Sequence, residues 1–338
     1  MASLDVFNSD AFSLTSLTDA INKRDYKPGR LGQLGLFEAR GIPTTTLFVE
    51  EKSGQLRLVQ TSARGGPGGT VGANLRTARA FRVPHLQQNA TILADSIQNI
   101  RAFGSETEAQ TILDMVTERN GDMQDNILVT QEYHRMTALQ GIILDADGST
   151  IYNLFTEFGV TQQTLDIAFT TSTTKVRSRI VAAKRLAEDE LGGTIVQGWR
   201  GFCGKNWFDA LIDHATVAEA YKYQQGQQLQ NDLRETGFSY GGVMWEEYRG
   251  SVTPQAGGSA VSFVNDDQAW LVPIVSGMFV TRFAPADYEE TVNTMGLPFY
   301  AKQAPDPSGF NKYRALEVQS NPISLCLRPR AVIKLTKS

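Results

Sequence analysis

The sequence predicts an α+β fold, and three observations carry that prediction. A helix-forming stretch of unusual length, residues 105–140, sits between β-rich segments. A sharp hairpin signal, Asp147-Gly148 between two β-rich runs, follows it directly. From residue 194 short strands and helices alternate without a regular βαβ rhythm, so the strands need not form one parallel sheet.

Taken in order, residues 1–42 mix short apolar clusters (Phe7, Phe12, Leu14, Leu17) with Asn, Ser and Asp, and no period persists. "LTDAINKR" predicts one or two helical turns, and the remainder reads as an extended arm that needs something to lie against. Residues 43–84 are β-rich. "LFVEEKSGQLRLV" reads as a hairpin, and the loop "RGGPGG" precedes a second β-like run, "NLRTARAFRVPH".

"SETE" at 105–108 fits a capping box, with Ser105 as N-cap and Glu108 returning to its amide. Ala109, Ile112, Leu113, Val116, Met123, Ile127 and His134 then recur at spacings of three, four or seven. Asn120-Gly121 is the weak point of a rod of about 50 Å at about 1.5 Å per residue. Residues 174–191 predict an amphipathic helix stopped by a glycine pair. Its cations come early and its acids late, against the helix dipole, so packing must hold it.

Farther on, "TIVQGWRGFCG", "VMWEEYRG", "AVSFV" and "QAWLVPI" read as strands and "KNWFDALIDHATVAEAYKYQQ" as one helix. The last 28 residues hold two β-rich stretches expected to pair with each other.

Composition narrows the function classes. Of 338 residues 41% are hydrophobic and 20% charged, enough for a core. The net charge of -4 argues against a general nucleic-acid binder. No apolar run reaches the roughly 18 residues that span a bilayer, and the N-terminus lacks a secretory signal pattern. Cys203 and Cys326 are expected to be reduced thiols.

Gly65, Gly66, Gly68 and Gly69 invite a phosphate-binding reading. A P-loop, however, needs a lysine and a following helix, and here Thr70-Val71-Gly72 and a β-like segment follow. His85, His134 and His214 lack metal-ligand spacing, and no nucleophile motif or cofactor signature appears. "DADG" at 145–148 reads as turn chemistry and "NDDQ" at 265–268 as a solvated loop. Arg64, Arg76, Arg79 and Arg82 form the one local cationic concentration. With Phe81 as the single interleaved aromatic, they suit a protein surface better than phosphates.

A loose arm, a β-loop and a long helix cannot all bury themselves within one subunit, so neighbours in a symmetric assembly are expected to supply the missing surface. The sequence resembles the tailed-phage major capsid protein E family, relatives of the phage lambda coat protein. The resemblance is carried by "RGGPGG" through "RVPH", "ATILADSIQNIRAFGSE", "FAPADYEETVNTMGLPFYAK" and "LEVQSNPISLCLRP".

That resemblance implies the Hong Kong 97-type phage capsid fold. The expected parts are an N-terminal arm (1–42), an extended β-loop (43–84), a peripheral domain with the spine helix (85–193) and an axial domain (194–320). A terminal strand (321–338) returns to the peripheral domain. It further implies pentamers and hexamers in an icosahedral head around double-stranded DNA, with no enzymatic activity. A scaffolding protein, a portal and a decoration protein are the expected partners, and the virion, assembled in the host cytoplasm, the expected location. Arg64, Gly65, Gly66, Gly68, Gly69, Arg76, Arg79 and Arg82 would touch a neighbouring subunit. Two other readings stay open at this stage: a soluble enzyme holding a phosphorylated ligand at 65–72, and a cargo-enclosing nanocompartment shell of the same fold.

Overall fold

The computed structural model describes residues 10–23, 29–52, 76–97, 108–222, 237–253 and 259–337. Packing divides the chain into two units. One comprises Met1–Leu47, Arg82–Arg135 and Phe279–Leu325; the other comprises Phe48–Phe81, Met136–Met278 and Cys326–Ser338. Residues 279–325 leave the segment before them because their strands pair with residues 38–41 and 86–93.

The first unit is built on three antiparallel strands, Tyr300–Pro305, Tyr313–Ser320 and Leu86–Leu93, with the second in the centre. Alternation decides their faces. Ile92, Leu316, Val318 and Ala301 turn inward onto Val116, Met123, Ile127 and Leu128 of the long helix. That helix runs unbroken from Glu108 to Gln140, through Asn120-Gly121, because both of those residues are buried and packing outweighs their low propensity. The expected cap, Ser105, lies outside the described residues.

The N-terminal region is less loose than expected. Leu14–Lys23 is helical, and its Leu17 and Ile21 join Phe12 in the same core. Asn22 Nδ2 donates to the Phe299 carbonyl at 3.0 Å. Farther along, Glu38–Gly41 runs parallel to Phe279–Phe283 in a second sheet completed by Pro322–Cys326.

The buried stretch of the long helix carries polar side chains, and three of them, Gln124, Gln131 and Glu132, are met from within the unit. The Gln124 amide donates to the Ile21 carbonyl at 3.1 Å and the Gln131 amide to Ser320 Oγ at 3.0 Å. The Glu132 carboxylate accepts the Leu31 amide at 2.6 Å and the Gly32 amide at 3.3 Å, beside the Arg135 guanidinium at 3.6 Å.

The second unit holds a six-stranded mixed sheet. Its order is Thr164–Asp166, Ile333–Thr336, Gln268–Ile274, Gly198–Cys203, Val243–Glu247, Phe238–Tyr240. The helix Val176–Leu191 and two shorter ones, Lys205–Asp213 and Ala215–Lys222, supply its covering side chains. Ile180, Ala183 and Ala187 pack with Trp207, Trp245, Leu271 and Leu335, all fully buried. Gly201 is required here: a Cβ would lie 2.0 Å from Trp245 Cε3.

The helix with the adverse charge order is steadied at its C-terminal end. Arg328 donates to the Leu191 carbonyl at 3.0 Å and Arg330 pairs with Glu190 at 3.4 Å, so cations from elsewhere meet the end that lacks its own.

Three expectations need correction. The single helix expected over 205–225 breaks at His214, whose extended ψ of 130° ends the first segment. His214 is fixed there by Thr216 Oγ1 at 2.9 Å and the Thr171 carbonyl at 3.2 Å. The hairpin at 142–153 forms, but its second run turns into the helix Leu154–Phe158 because the Asn153 side chain caps the Phe155 and Thr156 amides. The closing β-rich stretches do not pair with each other. Tyr313–Ser320 joins Leu86–Leu93 and Tyr300–Pro305, while Ile333–Thr336 joins Gln268–Ile274 and Thr164–Asp166.

Two stability outcomes follow. Ile180→Ala is expected to cost about 2–5 kcal/mol in denaturant unfolding, as for a buried aliphatic whose site cannot collapse. Glu132→Ala removes the acceptor of two backbone amides and the carboxylate beside Arg135. It is expected to cost about 3–5 kcal/mol and to raise amide exchange at Leu31 and Gly32 specifically, read by hydrogen–deuterium exchange.

Candidate interaction surface

The strands Thr46–Lys52 and Arg76–Arg82 pair with each other as a two-stranded ribbon. Thr46–Lys52 was expected to pair with 55–59 instead; those residues lie outside the described ones, as do Arg64, Gly65, Gly66, Gly68 and Gly69.

The root of the ribbon is fixed to its own unit. Phe81 is fully buried, edge-on to Tyr152 at 5.3 Å and tilted to Phe158 at 6.0 Å. Arg79 donates to the Glu157 carbonyl and its guanidinium lies 5.1 Å over the Phe158 ring. Of the predicted contact residues, Arg79 is therefore placed on its own chain, Arg76 opens the strand and Arg82 closes it with an exposed side chain. Phe48, on the opposing strand, is 64% exposed.

The remaining candidates are not brought together. His85 meets Asn321 Oδ1 at 2.7 Å and Gln87 Oε1 at 3.2 Å, while His134 and His214 are buried. Among the described residues no three His, Cys, Asp or Glu side chains converge as for a metal. Asp147 accepts the Ser149 amide at 2.8 Å. Bonds from Ser149 hold its carboxyl below the usual range, and Gly148 takes the φ of 83° the turn requires. Asp267 is held low chiefly by Lys337, 2.9 Å away, and by Asn206. Cys203 and Cys326 are both free and buried. Burial foremost pushes both thiols up, Cys326 to about 12, with Glu246 and Glu247 adding to the effect at Cys203.

Sequence reasoning missed a groove of about 340 Å³ on the three-stranded sheet of the first unit, lined by Asn89, Thr91, Tyr288, Lys302, Tyr313 and Glu317 among others. Strand pairing assembles it from segments up to 228 positions apart (Asn89 to Glu317). The Glu317 carboxylate accepts the Tyr288 hydroxyl at 2.8 Å and side-chain amides of Gln87 at 2.7 Å and Gln319 at 3.1 Å. Asp287 accepts a second bond from the Gln319 amide at 2.9 Å. Burial foremost pushes the Tyr288 phenol well up, so it stays a donor. The Lys302 ammonium sits 4.7 Å over the Tyr288 ring and pairs with Glu290 at 2.8 Å.

Beside the groove in the chain, the loop 292–297 exposes Val292 (65%), Met295 (59%) and Leu297 (42%). Its shape is fixed rather than slack. Thr291 and Thr294 hydroxyls donate to the Ala286 and Thr291 carbonyls, the Leu297 amide donates to Tyr300 Oη, and the Gly296 amide donates to the Ile42 carbonyl. Hydrogen-bonded polar groups beside a fixed apolar loop make a surface suited to holding another macromolecule.

Comparison with known proteins gives a consistent set of relatives. A family model described as "Phage major capsid protein E" matches residues 13–337. The major capsid protein of Pseudomonas phage KPP10 is 32% identical over 343 residues, 96% of each chain. That of Salmonella phage Felix O1 (isolate Felix O1-VT1) is 23% identical over 356 residues, 95% of each. Among solved structures, a prophage capsid protein from E. coli CFT073 matches with TM-score 0.62 and 16% identity, covering 96% of this chain and 99% of that one. The capsid of cyanophage P-SCSP1u matches with TM-score 0.52 and 10% identity, covering 93% and 90%.

Two outcomes test this anatomy. Phe81→Ala is expected to destabilise the unit that holds it by about 3–5 kcal/mol in calorimetry. Cys326 gives a pH signature of definite sign. Its folded value, about 12, lies above its ordinary value of 9.0, so its contribution is complete below pH 9 and is lost as pH rises towards 12. Native protein at pH 8.5 is expected to leave Cys326 unmodified by a thiol reagent, and denatured protein to react fully.

Proposed function

The chain belongs to the phage major capsid protein E family and has the Hong Kong 97-type capsid fold; from that footing we propose how it builds a shell. Subunits associate into pentamers and hexamers, and these close into an icosahedral head around double-stranded DNA. The observation that carries this reading is the extent of the family match: residues 13–337 are accounted for by one capsid subunit.

In this reading the β-ribbon and the residues between its strands form the extended loop that reaches a neighbour. Arg64, Gly65, Gly66, Gly68, Gly69, Arg76 and Arg82 make the contact, with Arg79 steadying the root. The helix Glu108–Gln140 is the spine of the peripheral part, and the sheet built on Gly198–Cys203 and Gln268–Ile274 belongs to the axial part. A scaffolding protein and a portal act during assembly and a decoration protein afterwards. Assembly proceeds in the host cytoplasm, and the product resides in the virion. The mildly acidic net charge of -4 suits a wall that must release its nucleic acid, since a basic lining would hold phosphates.

Expressed protein is expected to sediment as capsomers or closed shells and to appear as uniform particles by negative-stain electron microscopy. A protein that stays monomeric at high concentration, with and without a scaffolding protein, would overturn the reading. Deleting residues 55–75, which spares Phe81 and Arg79, is expected to leave a folded subunit by circular dichroism that forms no shells.

A further inference from the structure

We propose that the first three turns of the helix Val176–Leu191, with the hydroxyl-rich loop before them, touch the phosphate backbone of the enclosed double-stranded DNA. This rests on the shell-subunit reading and names the contact that the wall makes with its contents.

Charge carries the assignment. From Ile167 to Ala187 the sequence holds five cations (Lys175, Arg177, Arg179, Lys184 and Arg185) and no carboxylate. Val176, Ile180, Ala183 and Ala187 turn one side of the helix into the core, and Lys175, Arg177, Arg179 and Arg185 are exposed on the remainder. Among the described residues no carboxylate forms an ion pair with any of the five. Lys184 instead lies 5.3 Å over the Trp199 ring. Nor does the helix gain from the arrangement. Cations in its first turns face the positive end of its dipole, and the Lys175 cap makes no side-chain bond. A charge order that opposes the helix but suits an anion is the kind of local conflict that function retains.

The loop adds the matching polar groups. Thr170, Thr171, Ser172 and Thr173 are exposed, while the backbone beneath them is fixed. The Thr174 amide donates to the Thr171 carbonyl at 2.9 Å, His214 Nε2 donates to the same carbonyl at 3.2 Å, and the Thr216 hydroxyl donates to the Thr174 carbonyl at 3.3 Å. Hydroxyls, Lys and Arg are the side chains that seat a protein on a nucleic-acid backbone without reading its sequence. From Lys175 to Arg185 the helix rises about 15 Å. Over that length double-stranded DNA presents a charge at about every 1.7 Å, whereas a protein partner would need a comparable run of carboxylates. The chain's net charge of -4 confines the attraction to this patch, so the wall touches DNA without retaining it.

The test measures binding of full-length subunits to a random-sequence DNA duplex by fluorescence anisotropy. Binding is expected at about 50 mM salt and is expected to weaken about 100-fold or more by about 200 mM. The set Arg177→Gln, Arg179→Gln, Arg185→Gln should lower the logarithmic salt slope by about 0.9 per residue, with subunit melting unchanged or raised because the lost charges oppose the dipole. Lysine at the same three positions should keep the binding. No binding by the parent, undiminished binding by the glutamine set, or loss in the lysine set would overturn the proposal. Polyglutamate competing as well as DNA would assign the patch to an acidic protein and overturn it too.

Closed shells, checked by electron microscopy, supply the second measurement. They are expected to ignore duplex added from outside, because the patch lies on the inner wall. Uptake by closed shells would overturn that placement while leaving the shell reading intact. Subunits that bind DNA but never form shells would remove the shell reading instead.

Discussion

The first unit depends on how the long helix buries its polar turn. From Gln131 to Arg135 no residue is exposed, although Gln131, Glu132, His134 and Arg135 all carry polar groups. Burying a carboxylate is tolerable only when donors replace its water. Glu132 takes two backbone amides from Leu31 and Gly32 and the Arg135 guanidinium, and Gln131 takes Ser320. The dependence runs both ways. The N-terminal segment needs the helix as a seat, and the helix draws on the segment for two of the donors to its buried carboxylate.

The same economy shapes the surfaces. Polar groups on the groove face are tied to one another through Glu317, while the root of the ribbon is tied down by Phe81 and Arg79. A surface whose side chains are already ordered loses less entropy when a partner arrives. The fixed loop bearing Val292, Met295 and Leu297 extends that preorganisation to apolar groups, which a soluble monomer usually keeps covered.

Much of this was legible in the sequence, and the failures have physical causes. The long helix and the Asp147-Gly148 hairpin rest on local signals, spacing and turn chemistry, and both stand. The N-terminal region was read as loose because Phe12, Leu17 and Ile21 show no lasting period, and their partners, Phe299, Ala301 and Leu316, lie some 280 residues on. Leu154–Phe158 follows the β-rich run directly, and one side chain, Asn153, turns it into a helix by capping the Phe155 and Thr156 amides. The groove was invisible for a different reason. Alternation shows that Glu317 and Asn89 face out of their strands, but only the register pairs them. The arginines were legible as a cluster, whereas the engagement of Arg79 with Glu157 and Phe158 required the fold.

The bond from Asn22 to the Phe299 carbonyl spans 277 positions, and that from Leu31 to Glu132 spans 101. On a ribosome the helix Leu14–Lys23 therefore emerges long before its seat exists. Chains elongating at about 5–20 residues per second leave it waiting on the order of tens of seconds, its Leu17 and Ile21 uncovered. The core around that helix is thus completed only once Phe299, Ala301 and Leu316 have been made. Of this core, the N-terminal helix and Phe12 before it are made first and wait longest for their partners.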